Sequence, residues 1–508
     1  MCLQLTAFCS ENVYAAVVSR ERNSSAIDFS SFERYGAWTD LGVLKEISGK
    51  PLRKSLRVNT LKMSVAEFVA AAKGRGWELS PVPWCSEGFF IEREDRTRAL
   101  GRDLLHQVGC FYMQEAASML PPALLGAVPG EAVLDMSAAP GSKTTQVAAT
   151  LQGRGVIVAN DVQENRLWTL KSNVHRLGAT NVVITKKVGQ WFAKHMTERF
   201  DRVLCDAPCT AQGTVRKDSD ALQYCGLENI EKMARLQVQL LESAIHAAKV
   251  GGTIVYSTCT LTPEENEGVI LEMLQKFGDR IAVVDPYERV AVSGEWLQKP
   301  IEDSYRVQQW LAKERGYLLP AHGYPLVRLW PQTLDTEGFF SVVLRKNAPT
   351  KDPTQMDIIK PQEVPLPPRR IKEAKDVFEE AYGTPVLHEG ETLYQLGENV
   401  LLTTYGVSDF GLPVEDFSLG LPFAKLLKDG RVRIAHETAT LRGHEATKGT
   451  LELSETQLAD ILDGKDTSCD PALRGDMLLM AEGRCIGRGL AKGGLLKNNL
   501  PRLMIQQS

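Results

Sequence analysis

The chain is 508 residues long, 43% hydrophobic and 24% charged, and its 59 basic and 63 acidic side chains leave a net charge of −4. That length holds about three domains with ample core, the composition is that of an ordinary soluble globular protein, and no apolar run is long enough to cross a membrane. The balanced charge neither supports nor excludes a nucleic-acid partner, which needs only a local basic face.

The first residues lack a basic stretch, and Glu11 and Asn12 interrupt their apolar run, so no secretory signal is expected. Ten cysteines, none in a C-x-x-C pair, fit reduced thiols in the cytoplasm rather than disulfides. Cys205 and Cys209 come nearest to a metal-binding pair but lack a second pair and nearby histidines, so no metal is expected.

Residues 1–45 are weakly patterned and carry no functional assignment. Residues 45–62, KEISGKPLRKSLRVNTLK, are dense in Lys and Arg and read either as a solvated basic face or as a platform for phosphates. A helix over 64–77, beginning after Ser64, and a strand over Gly88–Glu92 give a small α+β domain, drawn at 1–110. From Glu131, short apolar runs at Val133–Met136, Gly155–Asn160, Asn181–Thr185, Arg202–Asp206 and Gly252–Ser257 alternate with helical stretches, notably Gln163–Leu177 and Glu228–Val250. This alternation predicts a parallel, doubly wound α/β sheet.

Runs around Leu326–Trp330 and Phe339–Leu344 read as an antiparallel hairpin at one edge, closing a domain at 111–346. Residues 347–370, with Pro349, Pro353, Pro361, Pro365, Pro367 and Pro368, read as a semi-rigid linker. An intermediate region, 371–420, mixes a short helix with strand-like pieces. Residues 421–508 read as a small β module whose basic face carries Arg484, Arg488, Lys492, Lys497 and Arg502. No internal repeat is present.

Three strand ends carry the chemistry. At 135–146, DMSAAPGSKTTQ, a strand runs into a loop of small residues and a helix starting near Pro140 or Gly141, which lets a ligand approach backbone amides. The spacing is neither that of a phosphate loop nor G-x-G-x-x-G, and it suits a nucleoside carrying a carboxylate. Asp161 ends the next strand, where a carboxylate holds ribose hydroxyls or, equally, caps a helix. At 206–218, DAPCTAQGTVRKD places Asp206, Pro208 and Cys209 in a turn at the same sheet edge as Cys259. Residues 254–267, IVYSTCTLTPEENE, predict a strand, a turn at Cys259, and a helix with Pro263 and the acids Glu264, Glu265 and Glu267 in its first turn. Alone, Cys259 reads as a small buried hydrophobe. Beside a second thiol, a carboxylate and a nucleoside loop, it reads as chemistry.

DMSAAPGSK, DAPC and STCTLTPEENE resemble the motifs of the Sun family of S-adenosylmethionine-dependent RNA cytosine-C5 methyltransferases, and SLRVNTLK (55–62) and FYMQEAASMLP (111–121) extend the resemblance across roughly 45–345. With a basic C-terminal PUA-like domain that includes GLLKNNLP, the layout is most similar to the bacterial RsmF branch, which modifies a cytosine in the decoding region of 16S ribosomal RNA. The resemblance implies a Rossmann-like class I methyltransferase core, an N-terminal RNA-binding α+β domain and a C-terminal PUA-like RNA-binding β module. It implies S-adenosyl-L-methionine as cofactor, ribosomal RNA or the small ribosomal subunit as partner, and a cytoplasmic monomer.

By the same resemblance Cys259 is the nucleophile that adds to cytosine C6, Asp206 contacts the N3/N4 edge, and Cys209 assists release of the product. Ser137, Ala138, Ala139, Pro140, Gly141, Ser142, Lys143, Asp161 and Asp206 are the implied cofactor contacts, with Lys143 also steadying Asp206. Two departures stand out. Val188 replaces the acid that usually meets the adenine amino group, and CTAQG replaces a motif usually close to CSGEG. The alternatives are the same chemistry on transfer RNA or another ribosomal site, and a non-catalytic RNA-binding assembly factor. Two thiols kept beside a carboxylate argue against the last.

Overall fold

The fold is a computed structural model describing residues 27–97, 99–289, 294–354, 364–413, 417–427 and 432–505. The opening residues and part of the Pro-rich linker, 355–363, lie outside the described residues. In the N-terminal domain, strands β1 (Ser55–Val58), β2 (Trp77–Val82), β3 (Cys85–Arg93) and β4 (Phe111–Met113) form an antiparallel sheet in the order β2-β3-β1-β4. The helix Val65–Gly74 starts at a capping box: the Ser64 hydroxyl accepts from Glu67 N, and the Glu67 carboxylate accepts from Ser64 N at 2.8 Å. It stops short of residue 77, where Gly76 takes a left-handed φ of 67° before β2. Because β4 pairs with β1, the N-terminal sheet runs past the boundary expected at 110/111.

The central sheet comprises β5 (Ala132–Asp135), β6 (Val156–Asn160), β7 (Val182–Thr185), β8 (Phe200–Asp206), β9 (Ala248–Thr258), β10 (Ile281–Val284), β11 (Val327–Leu329) and β12 (Phe339–Lys346). Its order is β10-β12-β9-β8-β5-β6-β7, with β5 to β9 parallel, β10 and β12 antiparallel, and β11 pairing with β12. Strands β5, β6 and β7 are buried at every residue, which is why they read as continuous apolar runs without alternation. The expected late hairpin exists, but β12 is not an edge: it lies between β9 and β10, a strand that had no distinct signal. The order reverses between β5 and β8, the position at which doubly wound sheets open a crevice at their carboxyl ends. This is a Rossmann-like core, as expected.

The C-terminal region forms two five-stranded sheets. The first joins Val364–Pro365, Glu391–Leu396, Asn399–Thr404, Leu421–Leu426 and Val432–Ile434. The division drawn at 420/421 runs through it, since Val400 pairs with Ala424. The linker drawn to residue 370 likewise ends early, in the strand at 364–365 and the helix Pro368–Tyr382. Ser418–Leu419 adds itself to β7 and extends the central sheet. The second sheet joins Thr450–Glu452, Gly475–Ala481, Arg484–Lys492, Leu495–Asn498 and Thr467–Ser468. It shares one hydrophobic core with the N-terminal domain, in which Leu56, Phe68 and Phe111 meet Ile461, Leu479, Ile486 and Leu496.

Candidate active site

Parallel pairing of β8 with both β5 and β9 brings their three following loops to one edge of the sheet. There the sulfurs of Cys209 and Cys259 stand 3.4 Å apart, both half-buried. Beside them Asp206 is held on both oxygens: Lys143 Nζ donates to Oδ2 at 2.6 Å and Ser257 Oγ to Oδ1 at 2.6 Å. Lys143 also lies 5.6 Å over the ring of Phe339. Burial opposes its charge, but Asp206, helped by Cys259 and Asp135, outweighs burial and raises its pKa. The hydrogen bond to Cys259, with burial second, pushes the Cys209 thiol well above the ordinary range, so Cys209 is a thiol rather than a thiolate at neutral pH.

The loop Ser137–Lys143 crosses the carboxyl end of β5. Its Ala138 N donates to Asn160 O at 2.8 Å, and Gly141 precedes the helix Ser142–Thr150 with φ 105°. A Cβ on Gly141 would come within 2.9 Å of Leu170, so the close approach of loop and helix requires glycine. Asp161 is 2% exposed, and its Oδ1 accepts from Gln163 N at 3.0 Å. Its Oδ2 forms no hydrogen bond and meets only the guanidinium of Arg166, at 3.2 Å. One oxygen thus braces the following helix, and the other is a buried acceptor, ion-paired with Arg166, that has no hydrogen bond and could take a ribose hydroxyl. Val188 is 59% exposed and offers that side of the loop edge no side-chain acceptor.

Sequence reasoning overlooked Asp135, although it begins the loop motif. It is buried, Thr144 Oγ1 donates to its Oδ2 at 2.7 Å, and its Oδ1 has no partner. Burial pushes its pKa up to about 7 against the Thr144 hydrogen bond, with Asp206 adding to the rise. The acids after Cys259 also differ from expectation. The helix begins at Glu267, not at Pro263, and runs to Phe277. Only Glu267 lies in its first turn, and even Glu267 is buried, paired with Arg328 and accepting from Ser304 Oγ at 2.8 Å. Glu264 pairs with Arg34 at 2.7 Å, and Glu265 is enclosed by Thr210, Thr262 and Gln237. Asn266 brackets Cys259, its Oδ1 accepting from Thr258 Oγ1 at 2.5 Å and its Nδ2 donating to Thr260 O at 3.0 Å. These acids build the turn rather than answer a helix dipole.

Departures in the CTAQG loop have a local structural effect. Ala211 adopts φ 57°, a left-handed conformation that glycine takes without steric cost. Gly213 cannot be replaced so readily, because a Cβ there would lie 2.1 Å from Gly338 O. Gln212 accepts from the Tyr35 hydroxyl.

The basic residues divide into two classes. Arg57 and Lys62 are buried: Arg57 reaches Gln114 and Thr145 at 2.9 and 3.0 Å, and Lys62 donates to Val108 O and Arg176 O at 2.8 and 2.9 Å. Arg484 donates to Lys62 O at 2.8 Å and pairs with Glu67 at 3.0 Å, while Arg488 is buried beside Asp476. All four are braces, not phosphate contacts. The outward cations are Lys50 and Lys54 at one end and Lys492, Lys497 and Arg502 at the other. Burial, and after it the charges of Arg93 and Arg96, lower the pKa of Lys54. Among the described residues no cluster of His, Cys, Asp and Glu could hold a metal.

Residues 122–345 match the family described as 16S rRNA methyltransferase RsmB/F, and residues 40–116 match the N-terminal domain of 16S rRNA methyltransferase RsmF. The chain is 37% identical over 467 residues to a ribosomal RNA small subunit methyltransferase F of Aeromonas hydrophila, covering 90% of this chain and 92% of the relative. To the protein of that name from Vibrio cholerae it is 36% identical over 462 residues, with the same two coverages. Among solved structures it is similar to PH0851, with a TM-score of 0.51 and 28% identity, covering 62% of this chain and 65% of the other.

Proposed function

Since the chain belongs to the RsmB/F family of 16S rRNA methyltransferases, an S-adenosylmethionine-dependent class, we propose that it methylates C5 of a cytosine in 16S ribosomal RNA, in the decoding region, through a covalent cysteine adduct. The observation that carries this reading is the pair of sulfurs 3.4 Å apart beside a carboxylate anchored on both oxygens. Cytosine C5 is a weak nucleophile until C6 is saturated. The Cys259 thiolate adds to C6, forming the S–C6 bond, and the ring electrons move toward N3. Asp206, oriented by Lys143 and Ser257, holds a proton at the N3/N4 edge and so stabilises the enamine that makes C5 reactive.

When bound, S-adenosylmethionine supplies the methyl group as a sulfonium. The residues that would hold it are Ser137, Ala138, Ala139, Pro140, Gly141, Ser142 and Lys143, with Asp161 Oδ2 for the ribose and Asp206 facing the reacting side. After transfer, C5 carries both the methyl group and its original proton. Solvent takes that proton, the C5–C6 double bond re-forms, and the S–C6 bond breaks with its electron pair returning to Cys259, whose leaving thiolate the adjacent Cys209 thiol stabilises as a hydrogen-bond donor. The target base must leave its stack to enter such a pocket, and the outward cations at both ends of the chain hold the flanking RNA.

The protein works as a monomer in the cytoplasm. Among the described residues no helix is long and apolar enough to cross a membrane. Bisulfite sequencing of total RNA from cells with and without the protein tests the proposal. One protected cytosine in 16S ribosomal RNA that depends on the protein is the expected result. Protection in transfer RNA instead, or nowhere, overturns it.

A further inference from the structure

One buried carboxylate at the site has no part in the steps above. Glu265 is fully buried, on the turn that follows Cys259. Its Oε2 accepts from Thr210 N at 3.0 Å and from Gln237 Nε2 at 2.8 Å. Its Oε1 accepts from Thr262 Oγ1 at 2.8 Å and from Thr210 Oγ1. Gln237 Nε2 also donates to Pro208 O at 2.8 Å, and the hydroxyls of Thr210 and Thr260 are 3.0 Å apart. The residues on either side of Cys209 and the residue after Cys259 are therefore tied to one carboxylate group. Tyr256 anchors the clamp from the sheet, its hydroxyl donating to Glu265 O at 2.6 Å.

The clamp sits where regular structure ends. Ladder pairing ends at Ala207 N to Ser257 O, 2.9 Å, since Pro208 has no N–H to continue it, and backbone pairing between the two loops resumes at Gly213 N to Cys259 O, 2.9 Å. Between those two bonds, where Cys209 lies, side chains help to set the distance between the sulfurs. A carboxylate accepting several charge-assisted bonds from two separate loops has the directionality to do so.

We propose that Glu265 is a positioning residue that locks the two thiol-bearing loops together, keeping Cys209 against Cys259 through addition and release. The assignment of those two roles rests on the function proposed above. The position of the clamp does not. Removing it should spare the cofactor loop, which lies on β5 and β6, and should spare the first attack by Cys259. It should impair the step that needs both sulfurs in register.

The test uses the full chain and the variant Glu265→Gln, which keeps the shape but turns an amide against the donors Thr210 N and Gln237 Nε2. Diamide oxidises two adjacent thiols to a disulfide and is itself reduced to the hydrazine, so the rate of Cys209–Cys259 cross-linking, read by peptide mass spectrometry, reports their register. Losing one buried charge-assisted set should slow cross-linking and steady-state turnover by about tenfold, with cofactor affinity within about twofold. Single-turnover methyl transfer should change less, and a denaturation-resistant protein–RNA adduct should accumulate.

Wild-type cross-linking with no added adduct, or an equal fall in transfer and release, overturns the proposal. If Glu265→Gln does not fold, Gln237→Met removes the Nε2 bonds to Pro208 O and to Glu265 Oε2 while leaving the Thr210 and Thr262 bonds to the carboxylate; it should move cross-linking in the same direction, and an unchanged rate there also overturns the proposal. Absence of methylcytosine from the wild type would sink the functional reading, yet the cross-linking rates would still decide whether Glu265 sets the register.

Discussion

Cys209 and Cys259 stand 3.4 Å apart, so the different tasks proposed for them are best separated by single substitutions. With Cys209 held as a thiol and bracketed by the Glu265 clamp, Cys259→Ala should abolish both methyl transfer and covalent capture of RNA. Cys209→Ala should still attack and transfer but accumulate a complex that survives a denaturing gel. If Cys259→Ala is the variant that stays attached, the roles are exchanged. The buried Oδ2 of Asp161, ion-paired but without a hydrogen bond, gives a second contrast. Asp161→Ala should weaken S-adenosylmethionine binding by about 1–3 kcal/mol, the cost of an unmet buried polar partner, and Val188→Ala by far less. Calorimetry showing the reverse would place the nucleoside elsewhere.

Asp135 links the site to stability. Its pKa is raised to about 7 in the fold from an ordinary 3.8. The unfolded chain loses this proton first, so the contribution to stability is complete below about pH 4 and disappears as pH rises toward 7. Asp135→Asn should flatten the stability profile across that window by roughly 2–4 kcal/mol, measured by denaturant unfolding at several pH values. An unchanged slope would mean that Asp135 is ionised in the fold.

The strands that carry the site were legible at the scale of the element, because a strand buried on both faces must be apolar at consecutive positions and its polar end then stands out. Asp206, Cys209 and Cys259 stood out by this contrast taken together, and the family resemblance supplied the roles expected of them. Asp135 and Glu265 were not, because a carboxylate's partners come from distant segments and local spacing cannot distinguish a buried acceptor from a solvated first-turn acid. Edge strands fared worst: β10 and Ser418–Leu419 are short, and their pairing partners lie far away in the chain. The CTAQG loop yields an element-scale prediction. Ala211 occupies a left-handed conformation, and Ala211→Gly should relieve its steric cost by more than it adds to unfolded-chain entropy, for a net gain of about 0.5–1 kcal/mol. A loss of stability on denaturant unfolding would show that the alanine methyl packs usefully.

Charge counts along the whole molecule did not separate exposed from buried cations, since a dense basic run records composition and not direction. Arg57, Lys62 and Arg484, among the cations first singled out, instead hold parts of the protein together. Lys54→Glu and Lys497→Glu, both exposed, should each raise the KM for RNA and reduce the salt dependence of binding by about one phosphate contact. Arg57→Met should instead cost about 2–4 kcal/mol of stability, because it strips partners from buried Gln114 and Thr145. An RNA effect from Arg57→Met without loss of stability would reverse the division. Cutting the chain at 420 is a poor test of RNA binding, because the cut removes two strands of a five-stranded sheet.

The core shared by the first and last sheets also bears on how the protein is made. Leu56, Phe68 and Phe111 emerge from the ribosome early, but their partners Leu479, Ile486 and Leu496 come more than three hundred residues later. At ordinary bacterial-to-eukaryotic elongation speeds that is a wait of roughly 20–70 s with an apolar surface uncovered. A nascent chain stalled before residue 450 should therefore expose its N-terminal domain to protease and to chaperones, and release of the full chain should protect it. A domain synthesised before its packing partners should thus finish folding only after them.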